Sequence, residues 1–361
     1  MSLPLLKEIC SIPTAPFAEQ RVLDWIDAFA RKRAINLQAD RFGNRLLTVG
    51  PRTGQRLIFV AHTDHPGLVA DAMIDARTLR ARFHGGVLSA YVKGARVRFH
   101  DTAGETTGVI TEITRKSDRA DYPAEVLVHV RRAIAAGSPG MFDQGIGRVT
   151  RGRFHSRVCD DLAGVAAILS AMEQLRRHRL DAPVGALLTR AEEEGFIGAI
   201  AAVKDGSLLR KSDRLISVEC SAQQPYARQG DGVIVRVGDK TSIFHSGFTN
   251  WICSQCQALA DRDARFKWQR ALMPGGTCEA TVFDASGFVA AAVCVPLGNY
   301  HNMDRERRRI GPEYVQLRDW QSEVKLFVEL GRAAANIDLR FRELRSRLNK
   351  RFSAMKKFLS R

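Results

Sequence analysis

The 361-residue sequence has no apolar run that approaches the roughly 18–20 residues needed to cross a bilayer. Its longest apolar stretches, such as Leu57–Ala61, have the length of strands. The first residues lack a basic segment followed by an apolar one, so we expect no signal peptide. These absences argue against a membrane-spanning protein.

Cysteine and acidic residues are also scarce. Seven cysteines are an odd number scattered through a long chain, which argues against a disulfide framework and favours reduced thiols in the cytoplasm. The sequence has only 39 acidic residues against 55 basic ones, which gives a net charge of +16. That balance is compatible with nucleic acid, an anionic membrane or an acidic partner, but it establishes none of them.

Alternating helix and strand patterns predict the fold class. After Asp160, apolar strands such as Val184–Thr189 alternate with helical stretches such as Leu162–His178, up to a closing helix over Glu313–Ala335. We therefore predict an α/β domain with a mostly parallel sheet and helices on both faces. Between these parts the chain has short strands separated by glycine turns, a pattern typical of a small β-barrel.

The predicted boundaries follow from these changes of pattern. A discontinuous α/β domain takes residues 1–70 and 158–335. A β-rich insert, expected to serve oligomerisation or substrate access, takes residues 71–157. Residues 336–361 form a basic amphipathic C-terminal helix.

The predicted C-terminal helix holds nine Lys or Arg residues against Asp338 and Glu343. Apolar side chains recur every three or four residues and so share one helical face. They are Ile337, Phe341, Leu344, Leu348, Phe352, Met355 and Leu359. Three interpretations remain open: docking on its own subunit, a contact between subunits, and binding to an anionic membrane or nucleic acid.

Polar residues follow the predicted strands at the sheet edge where α/β proteins place their sites. They are His62 and Asp64 after Leu57–Ala61, Asp160 before a helix, Glu192 and Glu193 after Thr189, Glu219 after Leu215–Val218, and His301 after a strand ending near Val295. Singly, such residues can cap a helix or form a solvated turn. Together they offer nitrogen and oxygen ligands for two divalent ions. Zn is the metal that suits such a mixed ligand set best, and Co or Mn would also fit. Such a pair can share a hydroxide and polarise a carbonyl.

The order of these motifs resembles the tetrahedral, or deblocking, aminopeptidase family of co-catalytic di-metal peptidases, which includes glutamyl aminopeptidases and cellulase M-like proteins. The resemblance runs from about Leu5 to about Ala335. It includes Asp40–Asn44, Ala61–Asp64, Gly85-Gly86, Asp160–Gly164, Glu192–Gly198, Gly230–Gly232 and Gly275–Thr277. Two differences from the family pattern are Cys278-Glu279 after Gly275–Thr277 and Glu219 where Asp is common.

The resemblance implies a role for each matching residue. Asp160 would bridge two metal ions. His62 and Glu219 would complete one metal site, and Glu193 and His301 the other. Glu192 would be the general base, and Asp64 would orient His62.

The resemblance further implies an aminopeptidase that hydrolyses N-terminal residues from short peptides through a water bridging two metal ions. It also implies a homo-oligomer built from dimers, up to a dodecamer. A deacylase or another amide hydrolase on the same fold is an alternative. So is a non-catalytic binding protein with a basic surface.

Overall fold

The computed structural model describes residues 3–118 and 120–359, so the outer ends of the first and last predicted segments, residues 1–2 and 360–361, lie outside it. Its helices are α1 Leu3–Ile9, α2 Gln20–Lys32, α3 Ser89–Val92, α4 Leu162–Leu175, α5 Ile197–Asp205, α6 Ser246–Arg262, α7 Glu279–Ala285, α8 Leu317–Arg332 and α9 Arg342–Met355. Its strands are β1 Asn36–Ala39, β2 Arg45–Val49, β3 Leu57–His62, β4 Gly67–Met73, β5 Thr78–His84, β6 Arg96–Asp101, β7 Gly104–Arg115, β8 Pro123–Val130, β9 Pro139–Phe142, β10 Arg148–Thr150, β11 Arg153–Ser156, β12 Val184–Thr189, β13 Arg214–Ala222, β14 Val233–Gly238, β15 Trp268–Leu272, β16 Val289–Gly298, β17 Met303–Asp304, β18 Arg309–Ile310 and β19 Glu313–Gln316.

A large mixed sheet forms the centre of the molecule, in the order β1-β2-β12-β3-β13-β16-β19-β11-β10. Its middle strands β12, β3, β13 and β16 run parallel, so their carboxyl ends meet at one edge. Strand β14 pairs antiparallel with β16 and parallel with β15. The predicted sheet is therefore confirmed, and it gathers the residues that follow these four strands.

Both faces of this sheet are covered by helices, as predicted. Along β3, Phe59 and Ala61 pack into the core cluster that contains residues of α4 and α8. Ile58 and Val60 point to the other face and pack with residues of α5 and α7. Burial on both sides explains why β3 is apolar throughout instead of alternating.

A closed barrel, in the order β4-β5-β8-β7-β6-β9, forms a second body with its own apolar core. The sequence revealed four of its strands and missed β4 and β9. The barrel begins at Gly67, before the predicted start at residue 71, because β4 follows β3 after a very short connection. Strands β10 and β11, assigned by sequence to the insert 71–157, pair instead with each other and with β19 in the large sheet.

Two predicted helices differ from the structure. The closing helix does not start at Glu313, since Glu313–Gln316 form β19 and pair with β16 and β11. The predicted helix over 336–361 is interrupted at Phe341, whose φ of 54° is left-handed, and α9 starts only after it. In addition, no residue of α9 is buried. The structure therefore does not support the interpretation that this helix docks on its own subunit.

Among the described residues, no helix combines the length and the hydropathy needed to cross a membrane.

Candidate active site

Asp160 lies at the centre of the polar edge, between two histidines. Its Oδ1 is 3.6 Å from His62 Nε2, and its Oδ2 is 3.8 Å from His301 Nε2. All three side chains are buried. Each carboxylate oxygen thus faces a different imidazole, the arrangement a carboxylate needs to bridge two ions.

The remaining nitrogen of each imidazole has a partner that fixes its protonation. His301 Nδ1 is 2.9 Å from the Gly86 carbonyl oxygen, and His62 Nδ1 is 3.2 Å from the Asp64 carbonyl oxygen. Because a carbonyl oxygen only accepts, each Nδ1 carries the hydrogen and donates it. Each Nε2 then faces Asp160, and on losing its proton it would offer its lone pair there to a metal ion.

Three glutamates complete the polar cluster. Glu193 Oε1 lies 3.2 Å from His301 Nε2. Three groups of ligand atoms have all members within 4.8 Å of one another: His62, Asp160 and Glu219; His62, Glu192 and Glu193; and Asp160, Glu193 and His301. The structure therefore brings all the predicted ligands and Glu192 into one cluster.

A one-turn 3₁₀ helix after β12 positions Glu192 and Glu193. Asp64 accepts hydrogen bonds from the backbone N–H of Glu192 (3.0 Å) and of Glu193 (3.1 Å). It also lies 3.4 Å from His62 Nδ1. One carboxylate thus ties the turn after β12 to the end of β3, so Asp64 supports more of the site than His62 alone.

Close packing explains the glycine that follows this turn. A Cβ on Gly198 would lie 2.3 Å from the Arg190 carbonyl oxygen, closer than any side chain can come. Glycine at this position lets α5 start directly behind the two glutamates.

The buried charges shift several pKa values. Burial raises the pKa of Glu219 to about 8, although His62 lowers it in part. Burial raises the pKa of Glu192 well above its usual value, and its carboxylate neighbours Glu219 and Glu193 add to that rise. Burial alone would lower the pKa of His301, but the negative charge of Glu193 outweighs it and raises that pKa to about 9.

Burial is the largest cause of the two glutamate shifts, and the carboxylates of the cluster also outnumber its cations. A divalent ion would remove that excess, and mixed imidazole and carboxylate donors are the set that Zn, Co or Mn binds. The residues therefore fit a metal centre.

Glu313 is an important residue that sequence reasoning missed. Its Oε2 accepts from the backbone N–H of Cys159 (2.7 Å) and Asp160 (3.0 Å), and its Oε1 accepts from that of His301 (2.8 Å). It therefore fixes two candidate ligands relative to each other. No local pattern marked it, and the sequence had placed it in a helix.

His65 is a second missed residue. Its Nδ1 lies 2.6 Å from the Asp160 carbonyl oxygen, and its Nε2 lies 3.0 Å from Asn302 Oδ1. It links the central aspartate to the segment that carries His301.

The barrel also reaches the site. Besides the Gly86 carbonyl on His301, the Gly85 N–H donates to Glu194 Oε1 at 2.9 Å. The pKa of Glu194 is lowered to about 2: burial opposes the shift, but the hydrogen bonds from His84 and Gly85 outweigh it. Glu194, unlike Glu192 and Glu193, thus holds the barrel to the sheet.

A cavity of about 260 Å³ opens onto the cluster. Gly275–Thr277, Arg236 and Arg305 line it, together with Tyr300, whose ring stacks on His301 at 3.7 Å between centroids. A larger cavity of about 920 Å³ adjoins it and shares Tyr300 and Arg305. The candidate ligands therefore face a space that a small substrate can enter.

Comparison with known proteins identifies the family. The family model of the M42 glutamyl aminopeptidases matches residues 43–309, which contain every candidate site residue. The chain belongs to the M42 glutamyl aminopeptidase family. Peptidases of this family are metal-dependent, in agreement with the ligand cluster.

Solved structures of two archaeal peptidases share the fold. The TET1 peptidase of Pyrococcus horikoshii superposes with a TM-score of 0.76 at 22% identity, covering 91% of this chain and 99% of the other. The aminopeptidase of Desulfurococcus kamchatkensis gives 0.75 at 22% identity, with 91% and 94% coverage. This chain is also 23% identical over 220 residues to YhfE of Bacillus subtilis. The alignment covers 55% of this chain and 63% of the length of that relative.

Proposed function

We propose that the protein is a metal-dependent aminopeptidase that removes N-terminal residues from short peptides. The observation that carries this proposal is Asp160, with one carboxylate oxygen facing His62 and the other facing His301. Membership of the M42 family supports the same reaction class.

In this proposal two divalent ions, most favourably zinc, occupy the cluster. Asp160 would bridge them, His62 and Glu219 would complete one site, and Glu193 and His301 the other. When bound, such a pair supplies Lewis acidity that acidifies a water molecule and polarises the scissile carbonyl.

Glu192 is the residue that moves the proton. Its carboxylate takes a proton from the attacking water and returns it to the amine that leaves. Glu192 is buried, and its carboxylate lies within 4.8 Å of the ligand atoms of His62 and Glu193, so it is within reach of a water molecule held by the cluster. Asp64 keeps His62 and the backbone of Glu192 in place.

The protein would act in the cytoplasm as a homo-oligomer. All seven cysteines are free in the structure, in keeping with a reducing compartment. The Pyrococcus horikoshii TET1 peptidase is described as able to assemble into a tetrahedron or a large octahedral shell. For this chain we propose only that it self-associates. The barrel would restrict access to the cavity.

The direct test is hydrolysis of a panel of aminoacyl p-nitroanilides by purified protein loaded with zinc, cobalt or manganese. Turnover that disappears with a chelator and returns with metal is expected. Turnover of acylated but not free amino termini would favour a deacylase. No turnover of any amide, in protein shown by elemental analysis to hold two ions per chain, would refute the proposal.

A further inference from the structure

Helix α9 carries a row of apolar side chains on a surface that is open to solvent. They recur every three or four residues and therefore share one side of the helix, and they are Leu344, Leu348, Phe352 and Met355. Leu348, Phe352 and Met355 are 56%, 60% and 53% exposed, and Leu359, just after the helix, is 78% exposed. A continuous apolar row in contact with water is typical of a surface that binds a partner.

The same segment is strongly basic. Residues 341–361 hold eight Lys or Arg residues against one acid, Glu343, so they carry +7 of the net charge of +16. With about 3.6 residues per turn, Arg345 lies on one side of the apolar row, and Arg347 and Arg351 lie on the other. Among the described residues, these three arginines have no carboxylate within the 4.0 Å of an ion pair. The apolar row is thus flanked by cations whose charge is not neutralised.

The residues before α9 fix its start to the body of the protein. Ile337 and Leu339 pack against the apolar core. The Leu339 carbonyl oxygen lies so close to Gly247 of α6 that a Cβ there would be 2.2 Å from it. Asp338 accepts a hydrogen bond from the backbone N–H of Arg342, the first residue of the helix, at 2.7 Å. The helix is therefore attached at its first turn, while its later turns face solvent.

The charge beside the apolar row discriminates between occupants. Two copies of α9 packed face to face would bring their flanking arginines together, whereas paired helices place opposite charges beside their apolar seam. Nucleic acid would neutralise the cations through its phosphates but would leave Leu348, Phe352 and Met355 in water. An anionic bilayer matches both features, because apolar side chains enter the acyl boundary while the flanking cations meet the headgroups.

We propose that α9 binds the surface of an anionic lipid bilayer and anchors the protein there. The helix lies on the bilayer and does not cross it, since it has 14 residues and a span takes about 20. A homo-oligomer would present several copies of α9, and several weak anchors on one particle bind far more tightly than one. This binding does not depend on the peptidase reaction.

Co-sedimentation of the full chain with lipid vesicles tests this binding. The vesicles are made of phosphatidylcholine alone, or of phosphatidylcholine with about one third phosphatidylserine. The native chain should sediment with the anionic vesicles and stay in solution with the neutral ones. Added salt should weaken the binding, because it screens the attraction between the cations and the headgroups.

The apolar row is tested by the double variant Leu348→Ser with Phe352→Ser. Its affinity for anionic vesicles should fall by at least about 30-fold, because two large apolar side chains no longer leave water on binding. Ile74→Ser with Ile146→Ser is the matched control, since these two apolar residues outside α9 are 57% and 48% exposed. The control should bind as the native chain does.

The flanking charge is tested by Arg347→Gln with Arg351→Gln. One cation near an anionic surface raises binding by about fivefold, so the loss of two should lower the affinity by about 25-fold. Arg41→Gln with Arg265→Gln removes the same charge from side chains that are 74% and 89% exposed elsewhere, and it should keep the native affinity. All four variants change exposed side chains, so denaturant unfolding should match the native chain.

Equal binding to neutral and anionic vesicles, binding to neither, or native affinity in the apolar variant would overturn the inference. Two further measurements identify the occupant if no vesicle binds. Binding to duplex DNA that the apolar variant retains would make α9 a nucleic-acid site. A smaller mass of the apolar variant in light scattering would make α9 a contact between subunits.

Discussion

The sheet edge that carries the candidate ligands and the C-terminal helix α9 are both charged, but their surroundings differ. At the edge, His62, Asp160 and Glu219 are 1%, 3% and 7% exposed. On α9, most apolar side chains are exposed, with Leu348 at 56% and Phe352 at 60%.

Partners distinguish the two regions further. Residues at the edge are held by groups remote in sequence: Glu313 accepts from the backbone N–H of Asp160, and the Gly86 carbonyl contacts the His301 ring. The charged side chain that pairs with α9, Asp338, lies a few residues before it and holds Arg342. Substitutions at the edge should therefore change chemistry, whereas substitutions on α9 should change only what the molecule associates with.

The largest effect is expected for Glu192→Gln. General-base catalysis contributes roughly 10²–10⁴-fold, so kcat should fall by about that factor while the fold and metal content stay nearly native. Steady-state kinetics measures kcat, and elemental analysis measures the metal content. Glu194→Gln, the same change two residues on, is the matched control and should retain far more activity, because Glu194 contacts the barrel. Near-native turnover in Glu192→Gln would contradict its role, and loss of metal would make it a ligand.

Asp160→Asn should reduce occupancy of both metal positions, because one side chain faces both histidines. His62→Ala and His301→Ala should each empty mainly one position. Elemental analysis of the three variants, purified without chelator, gives the ions per chain. Two ions per chain in Asp160→Asn would show that Asp160 is not a bridge.

Glu313→Gln tests whether the hydrogen bonds behind the ligands matter. Loss of a residue that holds metal ligands by hydrogen bonds typically lowers metal affinity by about 10- to 100-fold. Glu313 accepts hydrogen bonds from three backbone N–H groups, including those of the candidate ligands Asp160 and His301, so we expect a loss of that size. Metal-buffered titrations would measure the affinity, with Glu306→Gln, an exposed neighbour, as the control. Equal affinities in the two variants would reduce Glu313 to a structural residue.

The smallest effect on stability and catalysis is expected from removing residues 341–361. Ile337 and Leu339 pack against the core and are retained, whereas α9 buries nothing. Surface changes of this kind usually stay within about 0.5 kcal/mol. Denaturant unfolding and kinetics should therefore match the full chain, while light scattering should report a change in assembly or in surface binding. Abolished catalysis at unchanged mass would show that the tail belongs to the active-site fold.

Local patterns were sufficient for much of the fold and for the candidate ligands. Apolar strands such as β3 and β12 are visible in the sequence, and the topology of parallel sheets places the residues after them at one edge. His62, Glu193 and His301 could be selected on that ground. The period of the apolar residues also predicted a helix near the C-terminus.

Residues whose roles depend on distant contacts could not be predicted in this way. Glu313 acts on Cys159 and Asp160 through hydrogen bonds that span more than 150 residues. Arg236 looks like an interruption of an apolar strand until the cavity beside it is known. Phe341 gave no turn signal, so the break before α9 was missed.

The order of strands in the large sheet has a consequence for folding kinetics. The barrel forms from one contiguous segment, Gly67–Phe142, in which neighbouring strands are often consecutive, so its loops are short to close. The candidate metal ligands come from chain positions as remote as His62 and His301, and they meet only when β3, β12, β13 and β16 have all paired. We therefore expect the barrel to fold early and the large sheet to fold late. Because the candidate ligands meet only in the completed sheet, metal uptake should coincide with the last step of refolding.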